Sequence, residues 1–162
     1  MIKNKVMDSV LRYFDYQVRS EEIPGEVSLL IFLASCSFLC ENCHTPWLWE
    51  DEGEPLEFIM MDLLSAYRER ITCVCFMGEG SGTTKEIAEL KKWCSVIRNL
   101  GLKTGIYTGR DGYPQKWMDC FDYSKMGRYI QEVGPLTSKN TNQRLFINCS
   151  DGWNDITELF WS

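Results

Sequence analysis

Short apolar runs separated by segments of helical spacing constrain this chain more than any other feature. Val27 to Ser35 (VSLLIFLAS) is continuously apolar, too short for a typical helix, and β-branched at its start. It reads as a buried strand, as does Ile71 to Met77 (ITCVCFM). Leu102 to Gly109 gives a third, Phe121 to Ile130 holds a fourth, and Arg144 to Asn148 supplies a short one near the C-terminus. After Pro55, residues Leu56, Ile59, Met60, Leu63, Leu64 and Tyr67 recur at helical spacing. Thr83 and Glu86 have the spacing of a capping box, with Ile87, Leu90, Cys94 and Ile97 as the apolar stripe that follows. Gly101 stands where a C′ glycine stops such a helix. Strands alternating with helices imply right-handed crossovers and an α/β fold with a mostly parallel sheet. With 162 residues, no internal repeat and no linker, a single domain over 1–162 is expected.

In open parallel sheets, ligands bind at the carboxyl ends of the strands. Three segments fall there: a Cys-rich loop after the first run, Gly78-Glu79-Gly80-Ser81-Gly82 after the second, and Tyr107-Thr108-Gly109 after the third. The expectation is that they converge on one site.

The formal charge of -6, with no run of Lys or Arg, argues against a nucleic-acid partner, which calls for a basic face. The longest apolar stretch, Val27 to Cys40, is too short to span a bilayer and contains Ser and Cys. The N-terminal segment lacks the apolar core and cleavage site of a secretory signal. These features lead to the expectation of a cytoplasmic protein with no membrane partner. In that compartment, the eight Cys are expected to be reduced, metal-bound or buried rather than paired as disulfides.

Cys36, Cys40 and Cys43 form a C-x3-C-x2-C cluster on the loop leaving the first strand. One reading is zinc, with His44 or another Cys closing a tetrahedral shell, although His44 directly follows Cys43 and is awkwardly placed to chelate the same ion. A second is three buried thiols, but Glu41, Asn42 and His44 interleave them, so the run is not apolar. A third is a [4Fe–4S] cluster with only three protein ligands, whose fourth iron is left open to a small molecule.

With that spacing after a first buried strand, the chain resembles the radical S-adenosylmethionine (SAM) superfamily. The resemblance implies an incomplete radical SAM β/α barrel. It also implies a [4Fe–4S] cluster on Cys36, Cys40 and Cys43, whose open iron takes the amino and carboxylate groups of SAM. The reduced cluster then cleaves SAM to methionine and a 5′-deoxyadenosyl radical. Family members usually carry Gly-Gly-Glu at the end of the second strand, where backbone groups take the SAM amino group; here the stretch is Met77-Gly78-Glu79, with Gly80 following. Thr108 belongs to the same edge. Asn42 stands where many members have an aromatic residue against the adenine, and His44 either supplies that stacking or has only a loop role. GEGSG lacks the Lys-Ser/Thr that follows in a P-loop, so a nucleoside triphosphate is a poor alternative ligand.

The shortest members of that superfamily activate glycyl radical enzymes. PGEVSLLIFLASCSFLCENCHTPWLW, GLKTGIYTG, DYSKMGRYI and the tail GPLTSKNTNQRLF resemble the activating protein of anaerobic (class III) ribonucleotide reductase. This implies a protein substrate, the large reductase subunit, from which a glycine Cα hydrogen is removed, and a reduced flavodoxin-type electron donor. The alternatives are a pyruvate formate-lyase activase-like enzyme, a deazaguanine synthase-like enzyme acting on a small molecule, and a metal-bearing binding module without catalysis. Cys73 and Cys75 alternate in a strand and are expected on one face; Cys94 lies on a helical stripe, and Cys120 and Cys149 fit no motif. Trp47 and Trp49 either shield the cluster loop or simply pack. Trp153, Phe160 and Trp161 either form a docking patch or close the edge of the sheet. Asp111 and Glu158 read as solvated surface.

Overall fold

Strand β2 (Ser28–Leu33) is buried along its whole length because the sheet is covered on both sides. Leu29, Ile31 and Leu33 face one core, and Leu30 and Phe32 face the other, as the two-residue period of a strand requires. The computed structural model describes residues 10–34 and 53–161. Within them β1 (Arg12–Arg19), β2, β3 (Glu54–Pro55), β4 (Cys73–Met77), β5 (Lys103–Tyr107), β6 (Tyr123–Met126), β7 (Arg144–Cys149) and β8 (Gly152–Asp155) form one sheet of order β3-β1-β2-β4-β5-β6-β7-β8. Its centre, β2-β4-β5-β6, is parallel, and every flanking pair is antiparallel. The chain is therefore α/β with a mixed sheet whose parallel part is the central four strands.

Helices α1 (Glu57–Tyr67) and α2 (Thr84–Asn99) both pack on the same face, as successive right-handed crossovers dictate. Met60, Leu63 and Leu64 of α1 and Leu90, Trp93, Cys94 and Ile97 of α2 meet Val74, Phe76 and Ile106 of the sheet in one cluster. Each such side chain, fully buried, contributes about 1.5–3 kcal/mol of transfer free energy. On the opposite face Ile23 and Leu136 close over Leu30, Phe32, Cys73, Cys75, Tyr123 and Leu145, with no α-helix among the described residues there. Cys73 and Cys75 thus share a face, as their spacing implies.

The capping box at the start of α2 is formed: the Thr83 hydroxyl accepts from the Glu86 N–H, and the Glu86 carboxylate accepts from the Thr83 N–H at 3.2 Å. Gly101, with φ 79°, stops the helix by donating its N–H to Arg98 O. Helix α1 begins at Glu57 with Leu56 as its cap, and Pro55 belongs to β3 instead of opening the helix. The β5–β6 connection, for which the sequence marks no helix, contains a 3₁₀ helix, Lys116–Cys120. Gly109, Gly112 and Pro114 punctuate that stretch and leave too few consecutive helix formers.

β1 has no strict apolar alternation because it bulges. Tyr13 pairs with Leu33 and Asp15 with Phe32, so Phe14 is an extra residue. The bulge puts Tyr13 and Tyr16, three apart, on the helix side and Phe14 on the other. β8 forms a hairpin with β7 across Ser150 and Asp151. There Trp153 is buried, donating Nε1–H to Asp119 Oδ1 at 3.0 Å. Phe160 packs on the second core, and Trp161 Nε1–H reaches Leu136 O at 2.9 Å. These aromatics close the end of the sheet. Among the described residues, no helix is long and apolar enough to cross a membrane.

Candidate functional site

The registers of the central strands align one row of residues across the carboxyl edge. Phe32 pairs with Met77, Met77 with Tyr107, Tyr107 with Lys125, and Lys125 with Leu145. Neighbouring strands lie about 4.8 Å apart, so the ends of β2, β4, β5 and β6 stand side by side within roughly 15 Å. The chain leaves β2 through Ala34, β4 through Gly78 to Gly82, and β5 through Thr108. The three segments expected at one edge do leave the sheet there. Cys36, Cys40, Cys43 and His44, with Trp47 and Trp49, lie outside the described residues.

Glu79 anchors the edge. It is buried, and Thr108 donates its hydroxyl to Oε2 at 2.7 Å. Oε1 accepts from Arg110 Nε at 2.7 Å and lies 2.6 Å from Arg110 Nη2. The Arg110 N–H in turn donates to Thr108 Oγ1 at 3.2 Å, so the end of β5 is clamped onto the loop after β4. With its carboxylate engaged by an ion pair and a hydroxyl, Glu79 fixes the loop's shape. Its carbonyl also accepts from Gly82 N–H at 3.3 Å.

The loop leaves no room for a side chain at Gly80 or Gly82. A Cβ on Gly82 would sit 2.8 Å from Glu79 Oε1, and one on Gly80 would sit 2.1 Å from Glu86 Oε2. That second oxygen holds Ser81 N–H at 3.1 Å, so Glu86 ties the loop to the N-terminus of α2 while closing its capping box. At Gly78 the N–H is taken by Tyr107 O at 2.8 Å, and the backbone group that can meet a ligand's ammonium is its carbonyl.

Lys125 completes the edge from β6. Its ammonium is buried and donates to Thr108 O at 3.0 Å and Gly127 O at 2.9 Å, with Nζ 5.6 Å from the Tyr107 ring centre. Burial pushes the Tyr107 phenol well above its ordinary range, so it stays neutral and donates to Glu22 O. The segment Thr141 to Gln143 braces the turn beside Lys125. Gln143 Nε2–H reaches Gly127 O at 3.3 Å, Asn142 Nδ2–H reaches Arg128 O at 3.0 Å, and Thr141 Oγ1–H reaches Gly134 O at 2.9 Å.

Met77, Gly78, Glu79, Gly80 and Thr108 are therefore neighbours on one edge. Arg110 and Lys125 join them without a sequence signal: one sits in the connection after β5, the other in the fourth strand expected within Phe121 to Ile130. Asp111, expected on the surface, lies 4.0 Å from Arg128 in an exposed pair. Among the described residues, no three His, Cys, Asp or Glu side chains are grouped to hold a metal ion. Searches against protein-family models, curated proteins and solved structures each gave no match.

Proposed function

We propose that this chain is a radical SAM enzyme with an incomplete β/α barrel, and that it activates a glycyl radical enzyme, the large subunit of anaerobic ribonucleotide reductase. The observation that carries the reading is the position of C-x3-C-x2-C. It lies on the segment that leaves β2 at the same edge where Gly78, Glu79 and Thr108 close the ends of β4 and β5. Three thiolates suit an iron–sulfur cluster with one open iron, which supplies one electron to break a carbon–sulfur bond of SAM.

Cys36, Cys40 and Cys43 would hold that cluster. The Gly78 carbonyl suits the ammonium of an amino acid, and the Glu79–Arg110 clamp keeps the carbonyl in place by fixing the loop. Because Gly80 and Gly82 carry no Cβ, the loop can sit tight against α2. Lys125 adds a positive charge to an edge that would receive a ligand carboxylate. The choice of a protein substrate rests on the resemblance of the opening, the later strands and the Thr141-Asn142-Gln143-Arg144 segment to the reductase activases.

The test mixes the full chain anaerobically with SAM, a reductant and the large reductase subunit, then records an EPR spectrum. A doublet near the free-electron g value that vanishes when the target glycine is replaced supports the proposal. SAM cleavage without a protein radical on any glycyl radical enzyme from the same source refutes the activase reading and moves the assignment to a small-molecule substrate.

A further inference from the structure

Helix α2 carries charge of one sign on its outer face. Its exposed charged residues are Lys85, Lys91, Lys92 and Arg98. Both of its carboxylates are buried and engaged within the chain, Glu86 in the capping box and Glu89 on the Val10 and Leu11 N–H groups. Such a face stands out in a chain of formal charge -6. The helical step of about 100° per residue sets the cations in two rows, Lys85 with Lys92 and Lys91 with Arg98. Between the rows run Ala88 and Ser95, both exposed and two turns apart, so the middle of the face is a channel of small side chains. Lys85 stands in the first turn, where the helix dipole disfavours a cation, so helix stability does not account for its place.

Helix α1, beside α2 on the same side of the sheet, has the opposite character. Its outer face holds Phe58 and Met61, each 55% exposed and three residues apart. Among the described residues, no other element exposes two large apolar side chains. The charged residues of α1, Glu57 and Asp62, are both acidic. Large, apolar and acidic on one helix thus complements small and basic on the next.

We propose that these two faces form an interface between two copies of the chain, with α1 of each copy lying on α2 of the other.

The fold sets the geometry of such a pair. Both helices cross between parallel strands, so they run in the same direction, with axes about 8–10 Å apart. A two-fold axis parallel to them exchanges the two helices and keeps their direction, which brings α1 of one copy over α2 of the other. That rotation also keeps their level along the axis. Within one chain Glu57 Oε1 lies 3.5 Å from Lys92 Nζ, so the first turn of α1 is level with the third turn of α2. Phe58 and Met61 therefore come over the channel of small side chains, and Asp62 comes between the rows of cations. The carboxyl edges that carry Gly78, Glu79 and Thr108 lie outside this interface, and in the pair both point the same way.

Sedimentation velocity of the full chain, purified without oxygen and held at tens of micromolar, tests the inference. Twice the chain mass of 18.9 kDa is expected. A single-chain mass would leave the face to another part of the chain or to a different protein, and overturns the inference. Phe58→Lys, which puts a cation into a channel lined by cations, should raise the dimer Kd by about tenfold or more. Two charge-reversed proteins separate loss of this contact from poor folding. Asp62→Lys in one, and Lys91→Glu with Lys92→Glu in the other, should each weaken self-association, because like charges then meet across the axis. Mixed together, the two should form a heterodimer of wild-type strength, since each new charge meets its opposite and the native half still matches. If mixing restores nothing, or if Phe58→Lys leaves the dimer intact, the interface lies elsewhere and the inference is wrong. The assay contains no SAM or reductant, so its outcome is separate from that of the proposed activity.

Discussion

Removing Arg110 should destabilise the fold measurably, because Glu79 would stay buried without its cation. The Glu79 side chain is 2% exposed and that of Arg110 26%, so the pair sits between the buried and surface regimes. Breaking a fully buried pair costs about 3–5 kcal/mol, and an exposed one under about 1 kcal/mol. Thr108 still donates to Oε2 in the variant, and Arg110 is partly hydrated, which places Arg110→Leu at roughly 2–3 kcal/mol. For a chain of this size, about 3 °C per kcal/mol turns that into a fall in Tm of roughly 6–9 °C. Glu79→Gln should cost less, about 1–2 kcal/mol, because the guanidinium it abandons can reach water. The double variant should be milder than the sum by about 1–2 kcal/mol, the signature of direct contact. The assay is urea unfolding of the four proteins with a common m-value. If Arg110→Leu falls within about 0.5 kcal/mol of wild type, the clamp behaves like a surface pair and the reasoning fails.

Three further outcomes follow. Burial raises the Glu26 carboxyl, but hydrogen bonds from Tyr123, Thr72 and Lys103 outweigh it and hold the group below its ordinary 4.5. A depressed carboxyl contributes stability above its unfolded value and loses it as pH falls through the folded one, so wild-type stability should drop below about pH 4.5 and Glu26→Gln should flatten that drop in acid titrations of urea midpoints. Gly80→Ala forces φ 68° on a residue with a Cβ and pushes Glu86 from its capping box, which should cost about 2 kcal/mol. Adding Thr83→Ala, which removes the same cap, should then cost less than it does alone; full additivity would contradict the geometry. Burial pushes Cys73 up to about 12 and Cys75 well above its ordinary value, so iodoacetamide at pH 8 should leave both untouched in the native protein while exposed Cys149 reacts, as peptide mapping would show.

The strongest sequence signals describe local chemistry. The capping box of Thr83 and Glu86, the Gly101 stop and the shared face of Cys73 and Cys75 are set within a few residues of one another, and the structure has all three. The parallel centre was also legible, because a strand covered on both faces must be continuously apolar. What escaped depends on distant partners. β1 reads as no strand at all because the bulge at Phe14 breaks the two-residue period. The antiparallel flank β7–β8 turns on two residues, Ser150 and Asp151, which pattern alone does not separate from a loop. At the site, Glu79 and Thr108 were placed together by strand order alone. Arg110 and Lys125 reach them through side chains and a register that no spacing in the chain encodes.

The metal content of the anaerobically purified chain tests the central claim most directly. With Cys36, Cys40 and Cys43 as thiolate ligands, the protein should be brown and carry about four irons per chain, and each of the three Cys→Ala variants should lose them while Cys73→Ala keeps them. A colourless protein with one zinc per chain would contradict the account.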